Sequence, residues 1–501
     1  MAIAKIILNG VTQMDLTSDT IGSSTALSGY TGHGANGEIF QGSYVAPTAT
    51  DNLPLLLSNY LSSYSNSEIT TIRSGAFYAA EYLKEIHLNK LTSIPNSAFY
   101  DCAALSVAEF SSGLSRIGVS AFCSCYSLSS TDFISNVNTF GDFAFSDCTK
   151  ITEISLNSSS ISFGKFCFDS CRSLAYANLS SLTFFGATQA PFRYCWSLST
   201  INMPYSVAFA EGASYVFASC GIVSVDHYFS MSKMSTYAAK GVGFFDGCPS
   251  LQKLHIDGMS RINSYFARYC AQLSDIYFPS VVAFNGNSAF YGCTSLTKLT
   301  NEEFPLLTTV SNSAFYNCYN ISIVSLSALN IYPLNTATAT AHPFASCSGI
   351  LEVSIPNSQY PLGYKTTVKY SSVQKYTYGG GSEINLYSSY FTACNKLHTV
   401  VIRNGLSYIA ASAFYNCTMF ESLYLVNSSM TTITALSNTN AFNGTPMSGS
   451  DVFPFGYIYV PESLYSLYIA ATNWAAYSAH IAALDAEEIQ NVIDYGTHNP
   501  T

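Results

Sequence analysis

Charge is what this chain has least of. Lys, Arg, Asp and Glu together make up 10% of the residues, against roughly 25% in an average globular protein, so hydroxyls and amides must clothe the surface. The balance is acidic, with a formal net charge of −10, and the 20 basic residues are scattered along the chain. Nucleic acid is therefore not an expected partner, because phosphate binding needs clustered Lys and Arg. No run of about 18 apolar residues exists to span a bilayer, so membrane insertion is not expected. The start, Met1-Ala-Ile-Ala-Lys-Ile-Ile-Leu-Asn-Gly, lacks the charged, apolar and small-residue regions of a secretory leader. Synthesis in a cytoplasm is the expectation.

Catalytic signatures are missing as well. There is no Gly-x-Ser-x-Gly, no His-Glu-x-x-His and no Gly-x-x-x-x-Gly-Lys-Ser/Thr. Acidic residues are too sparse to nominate an acid/base pair. No enzyme and no cofactor are expected.

What is present is apolar, aromatic and repetitive. Hydrophobic residues reach 48% and aromatic residues 14%, enough for a sizeable core, which argues against disorder. A short phrase recurs: Phe, two residues, Cys, two residues, Leu or Ile. It stands at Phe99-Cys102-Leu105, Phe122-Cys125-Leu128, Phe145-Cys148-Ile151, Phe168-Cys171-Leu174 and Phe192-Cys195-Leu198. It returns at Phe217-Cys220, Phe245-Cys248, Phe290-Cys293, Phe315-Cys318, Phe344-Cys347, Phe391-Cys394 and Phe414-Cys417, while Phe266 stands one position early before Cys270. The first gaps between cysteines are 23, 23, 23, 24 and 25 residues. Alternating apolar segments follow, such as Ile151-x-x-Ile154-x-Leu156 and Leu251-x-x-Leu254-x-Ile256. Period-two alternation marks a strand with one buried face. One such strand per turn predicts a stacked array in which no turn could bury its apolar face alone.

The phrase resembles the BspA-like, or treponemal-type, leucine-rich repeat, which reads S-A-F-x-x-C-x-x-L-x-x-I-x-L. Ser97-Ala98-Phe99, Ser288-Ala289-Phe290, Ser313-Ala314-Phe315 and Ser412-Ala413-Phe414 carry it nearly letter for letter. The resemblance covers about residues 65 to 447. It implies a repeat solenoid of α/β type with units near 23 residues and a parallel sheet on its concave face, used for adhesion and recognition. Thirteen of the fifteen cysteines share one frame position and should stack as an internal ladder of small side chains. Such a ladder suits neither disulfide torsions nor a converging zinc site, so no metal is expected. Cys123 and Cys167 are the two outside the frame.

The array is expected over residues 63–447. Before it come a small β-rich module at 1–45 and a linker at 46–62; after it, a strand-helix cap and tail at 448–501. Lys5–Leu8 and Val11–Leu16 flank Asn9-Gly10, a hairpin signal. Gly29-Tyr-Thr-Gly-His-Gly-Ala-Asn-Gly37 and Gly42 resemble the N-terminal module of tail-associated phage structural proteins. In the cap, a strand ending at Pro461 should precede helical stretches near Glu462–Ala470 and Trp474–Leu484. An insertion at 361–384 breaks the beat between Cys347 and Cys394; its Tyr- and Lys-rich part, 364–381, reads as a hairpin projecting from the array.

Two surfaces are candidates for recognition. One is the outward strand face, where Lys253, His255, Asp275, Tyr277 and Lys298 concentrate charge and aromatic character; it extends to Val401 and Tyr424. The other is the insertion, through Tyr364, Lys365, Lys369, Tyr370, Lys375, Tyr376 and Tyr378. A merely solvated sheet face and a tolerated surface insertion are the alternatives. The expected partner is a host-surface polysaccharide or protein. A phage virion protein, docked to other virion proteins through its first residues and assembled in a bacterial cytoplasm, is the first functional reading. A bacterial or protist cell-surface adhesin is the second, an intracellular scaffold the third, and self-association is compatible with each.

Overall fold

The computed structural model describes the strands Ala4–Leu8, Val11–Leu16, Thr31–His33 and Ile39–Gln41, and then residues 62–495 apart from 187, 211, 231–241, 327–328, 330–342, 345, 356–373, 379–383, 387–390, 392–393, 404–405, 427–430 and 449–455. Two compact units compose the chain, Met1–Ile222 and Val223–Thr501.

In the first unit each turn has three sides. The first is a strand: Glu85–Leu88 lies parallel between Ser63–Ser65 and Val107–Phe110, setting His87 beside Glu109. Ile86 and Leu88 are buried and Glu85 is exposed, the alternation a pleated strand imposes. Glu153–Ser155, Tyr176–Asn178 and Thr200–Asn202 repeat the pattern. The second side is a shorter ladder, Ser93–Ile94, Arg116–Ile117 and Thr139–Phe140.

The third side is the Ser-Ala-Phe-x-x-Cys phrase folded as a double turn. Its backbone alternates between neighbours. Phe99 and Asp101 donate to Ala121 and Cys123 of the next turn, both at 2.8 Å, while Tyr100 and Cys102 donate back to Ser97 and Phe99. This alternation needs left-handed residues five before and one before the cysteine. Ser97 and Asp101 hold φ of 52° and 57°, Ser120 and Ser124 hold 51° and 63°. Short polar residues tolerate that region, and β-branched ones do not. The Ser of the repeat phrase thus answers to backbone geometry. Among the described residues, α-helix occurs only at Glu462–Ala470 and Ala486–Tyr495.

Phenylalanine and cysteine fill the interior behind the double turns. Phe77, Phe99, Phe122, Phe145 and Phe168 stack in sequence with centroids 5.0–5.2 Å apart, an offset geometry that aromatic pairs favour. Thiols of the ladder donate to the main chain one turn back: Cys102 to Phe77 at 3.0 Å, Cys125 to Phe99 at 3.1 Å, Cys148 to Phe122 at 3.0 Å. Cysteine suits this place because it is a small hydrophobe with one weak donor. In the second unit the early Phe266 stands nearly perpendicular to Phe245, at 83°. The thiol frame is undisturbed, since Cys293 donates to Ala267 at 3.1 Å.

The second unit carries a parallel sheet running Lys298–Thr300, Ile323–Ser325, Glu352–Ile355, Lys375–Tyr378, Thr399–Ile402, Ser422–Leu425, Tyr457–Pro461 and Ile481–Leu484. The expected projecting hairpin is corrected here. Lys375–Tyr378 is a rung of this sheet, in register between Glu352–Ile355 and Thr399–Ile402. Tyr376 points into the core against Phe391 at 5.1 Å, so the segment supplies the strand that the repeat phrase leaves out between Cys347 and Cys394.

The ends are more β-rich than the sequence suggests. Ala4–Leu8 pairs antiparallel with Val11–Leu16, as the Asn9-Gly10 turn predicts, and Thr31–His33 pairs with Ile39–Gln41. The helix Glu462–Ala470 forms as expected. The second helical stretch does not. Ala475–His480 is a 3-10 segment and Ile481–Leu484 is a strand beside Tyr457–Pro461; Ile481 and Leu484, on its opposite faces, are both buried, Leu484 under the helix that follows. A further helix, Ala486–Tyr495, follows. A reciprocal cap starts it: Asp485 N–H donates to Glu488 Oε2 at 2.8 Å and Glu488 N–H to Asp485 Oδ1 at 2.9 Å, a capping box that ties up two amide donors.

Candidate binding face

Strand residues that alternate with the core positions line the outward face. In the second unit, Asp226, His255 and Tyr277 form one row across three parallel strands, and Ser224, Lys253 and Asp275 form the row beside it. Four of the five strand-face candidates therefore come together. Lys253 Nζ pairs with Asp226 Oδ2 at 3.0 Å, and His255 Nε2 with Asp275 Oδ1 at 2.7 Å. The Tyr277 ring stands edge-on to His255 at 5.7 Å and is exposed. Pairs this open to water hold only about 0–1 kcal/mol each, so a ligand can exchange them at little cost.

Lys298 is occupied differently. It pairs with Glu302 and, at 3.2 Å, with Glu303; the hydrogen bond it donates to Glu302 is the first cause of its raised pKa. Glu303 is itself buried and accepts from the Thr300 amide and hydroxyl, both at 2.7 Å. This cation steadies a local turn.

The insertion residues divide three ways. Tyr376 is 3% exposed, which removes it as a contact residue: its ring belongs to the core. Lys375 is half-buried in a row with Glu352 and Thr399. Tyr364, Lys365, Lys369 and Tyr370 lie outside the described residues, as does the side chain of Tyr378.

The outward face is also shorter than the alternation implies. Val401 and Tyr424, two of its expected members, are buried in a cluster with Val426, Leu484, Ile489 and Val492. Helix Ala486–Tyr495 lies over this part of the sheet and closes it. The missed signal was Asp485-x-x-Glu488 ahead of Ile489, Val492 and Ile493, a cap followed by helical spacing. In the first unit the face carries His87 paired with Glu109 at 2.8 Å, and Asn202 donating to Asn178 at 3.0 Å. Among the described residues no group of three or more His, Cys, Asp or Glu is placed to hold a metal ion.

The model of the BspA type leucine-rich repeat region matches residues 58–174, 116–242, 240–365 and 329–448. The chain belongs to this family. The BspA-type match begins at residue 58, so the expected phage-like segment Gly29–Gly42 falls outside it. No curated protein matches the chain. Solved structures of similar proteins include a leucine-rich repeat protein from Bacteroides ovatus, 18% identical over 88% of this chain and 93% of that one, with a TM-score of 0.41. A leucine-rich cell surface protein from Faecalibacterium prausnitzii is 17% identical over 83% of this chain and 96% of that one, with a TM-score of 0.35. The pneumococcal vaccine antigen PcpA is 12% identical over 84% and 81%, with a TM-score of 0.26.

Proposed function

We propose that this BspA-type protein is a non-enzymatic recognition protein, a cell-surface adhesin whose strand face binds a polysaccharide or protein on another surface. The observation that carries this reading is the cluster of Lys253, His255, Asp275 and Tyr277, set in register on adjacent parallel strands with Asp275 and Tyr277 exposed. A rigid scaffold holds these side chains, so little ordering remains to oppose binding. Tyrosine adds a large contact area and one hydroxyl at low entropic cost.

The test is binding of the full chain to arrays of surface polysaccharides and of matrix proteins. His255→Ala with Tyr277→Ala should weaken the strongest interaction by about tenfold or more, the scale of one lost anchor, with the thermal midpoint unchanged. Unaltered binding by the double variant would move recognition off this face. Hydrolysis of any arrayed polysaccharide by the pure protein would overturn the non-enzymatic reading.

A further inference from the structure

The double turn asks for Ser, Gly, Asn or Asp at its two left-handed positions, and most turns comply, as Ser97, Asp101, Ser120 and Asn317 do. Six positions in the first unit do not, Ala79, Ala190 and Tyr215 among them, and the other three lie together. Phe143 and Phe166, each five residues before a cysteine, and Tyr194, one before, hold φ of 57°, 56° and 60°. Bulky residues are outliers in that region, and such outliers persist where something other than local preference maintains them. Core packing is not the reason for two of the three, since Phe143 and Tyr194 are each 40% exposed.

Their rings join one patch. Phe143 stacks on Phe166 at 5.2 Å. The Arg193 guanidinium lies 4.5 Å from the Phe166 ring centre and 4.8 Å from that of Tyr194, and its Nε donates to Asp169 at 2.7 Å. Tyr194 meets Trp196 edge-on at 6.4 Å, and Arg172 covers the Trp196 ring at 4.9 Å. Trp196 is 54% exposed. Asp169 answers the charge of Arg193, whereas Arg172 has no ion-pair partner among the described residues. The second unit repeats the clamp: Arg268 pairs with both Asp246 oxygens, at 2.8 and 2.9 Å, and lies over Tyr265 and Tyr269, two more aromatic residues at left-handed positions.

We propose that this aromatic edge of the first unit docks a protein that sets a carboxylate on Arg172 among aliphatic side chains. Stacking orders the rings through one face each of Phe143, Tyr194 and Trp196: Phe143 on Phe166, Arg193 on Phe166 and Tyr194, Arg172 on Trp196. The Arg172 guanidinium is the cation of this edge that no carboxylate among the described residues answers. A protein surface can give it a carboxylate in bidentate fashion while aliphatic groups pack against the ring edges beside it. Trp, Tyr and Arg are also the residues that dominate protein interfaces, and here each is held in place before a partner arrives. The inference does not depend on whether the strand face binds.

A library of random displayed peptides, selected against the full chain, is the probe. Enriched peptides should carry Asp or Glu flanked by Leu, Ile, Val or Phe. They should bind Arg172→Gln and Trp196→Ala about tenfold more weakly or worse, the scale of a charge-assisted hydrogen-bond pair. The His255→Ala, Tyr277→Ala variant should hold them as the parent does. Both edge substitutions fall on exposed side chains, and an unchanged thermal midpoint shows that the fold is kept. No enrichment over a bare surface, or equal binding by Arg172→Gln, overturns the proposal. So does polysaccharide binding that Trp196→Ala abolishes, which would assign the edge to a glycan. A dimer seen by light scattering that Trp196→Ala dissociates would assign the edge to a second copy and overturn the proposal equally.

Discussion

The indole Nε1–H of Trp474 donates to the carbonyl of Thr434 at 2.7 Å. The Tyr468 hydroxyl accepts the Thr434 amide at 2.9 Å, and Asn473 Nδ2 donates to the Leu436 carbonyl at 2.7 Å. Side chains from the terminal segment thus satisfy the backbone of Thr434 and Leu436, the one beside and the other within Ala435–Leu436, the last strand of the short ladder Ile384–Leu386, Leu406–Ile409, Ala435–Leu436. A bare edge there would template pairing with another chain. Trp474→Phe strands the Thr434 carbonyl in a buried place, which costs about 1–3 kcal/mol. Hydrogen exchange should show residues 431–448 losing protection first; unchanged protection there would mean that the indole proton is dispensable.

Core damage should stay local. Phe315 stacks between Phe290 and Phe344 at 5.4 and 5.5 Å and is fully buried. Phe315→Ala should cost about 3–5 kcal/mol. In an array where turns touch only their neighbours, the loss should loosen the turns around Phe290 and Phe344 before those farther along. Uniform loss of exchange protection would contradict that one-dimensional coupling.

The thiol ladder predicts sensitivity to alkali. Burial pushes Cys102 and Cys347 from the ordinary 9.0 up to about 12, and raises Cys125, Cys148 and Cys171 as well. Above the unfolded value the unfolded chain gives up its thiol protons while the folded chain keeps them. Fewer protons on the unfolded state means that stability falls with rising pH. The contribution is complete below pH 9.0 and is lost between 9.0 and about 12. Denaturant midpoints should therefore drop through this window, and Cys102→Ala with Cys347→Ala should flatten the drop. A flat profile in the parent would contradict the burial of these thiols.

Truncation after Asp485 should uncover the sheet rather than unfold it. Ile489 and Val492 would no longer cover Val401 and Tyr424, leaving an apolar patch of the kind that drives association. The shortened chain should bind a hydrophobic dye more strongly and aggregate at lower concentration, while its far-ultraviolet dichroism keeps its β character. Loss of that signal would make the helix essential to the fold.

Legibility followed periodicity. The Phe-x-x-Cys phrase announced the stacked interior and the thiol frame because a repeated environment selects the same residue in every turn. The Asn9-Gly10 hairpin was legible for a local reason, a turn requiring positive φ. Where one side chain decides between two surroundings, the reading failed. Tyr376 alternates with lysines like a surface residue, yet no phrase near it marks the missing rung that draws its ring inward. Val401 and Tyr424 occupy outward strand positions, and only the distant helix after Asp485 buries them. Lys253, His255, Asp275 and Tyr277 were legible as a cluster because one turn's spacing sets them side by side. The edge of Phe143, Phe166, Tyr194 and Trp196 stayed hidden until the backbone showed which positions are left-handed.

Gly118, Gly141 and Gly164 stand one turn apart, and a Cβ at any of them would strike the main chain of the turn before. At Gly118 it would meet the Asn96 amide nitrogen at 2.6 Å; at Gly141 and Gly164 the obstacles are Val119 and Gly141. Close backbone approach of this kind admits only glycine. The turns around this column are therefore not interchangeable modules. A duplication or crossover that inserted a turn bearing a side chain here would collide with its new neighbour, whereas the thiol frame would accept it. Artificial lengthening of the array should be spliced outside residues 95–164.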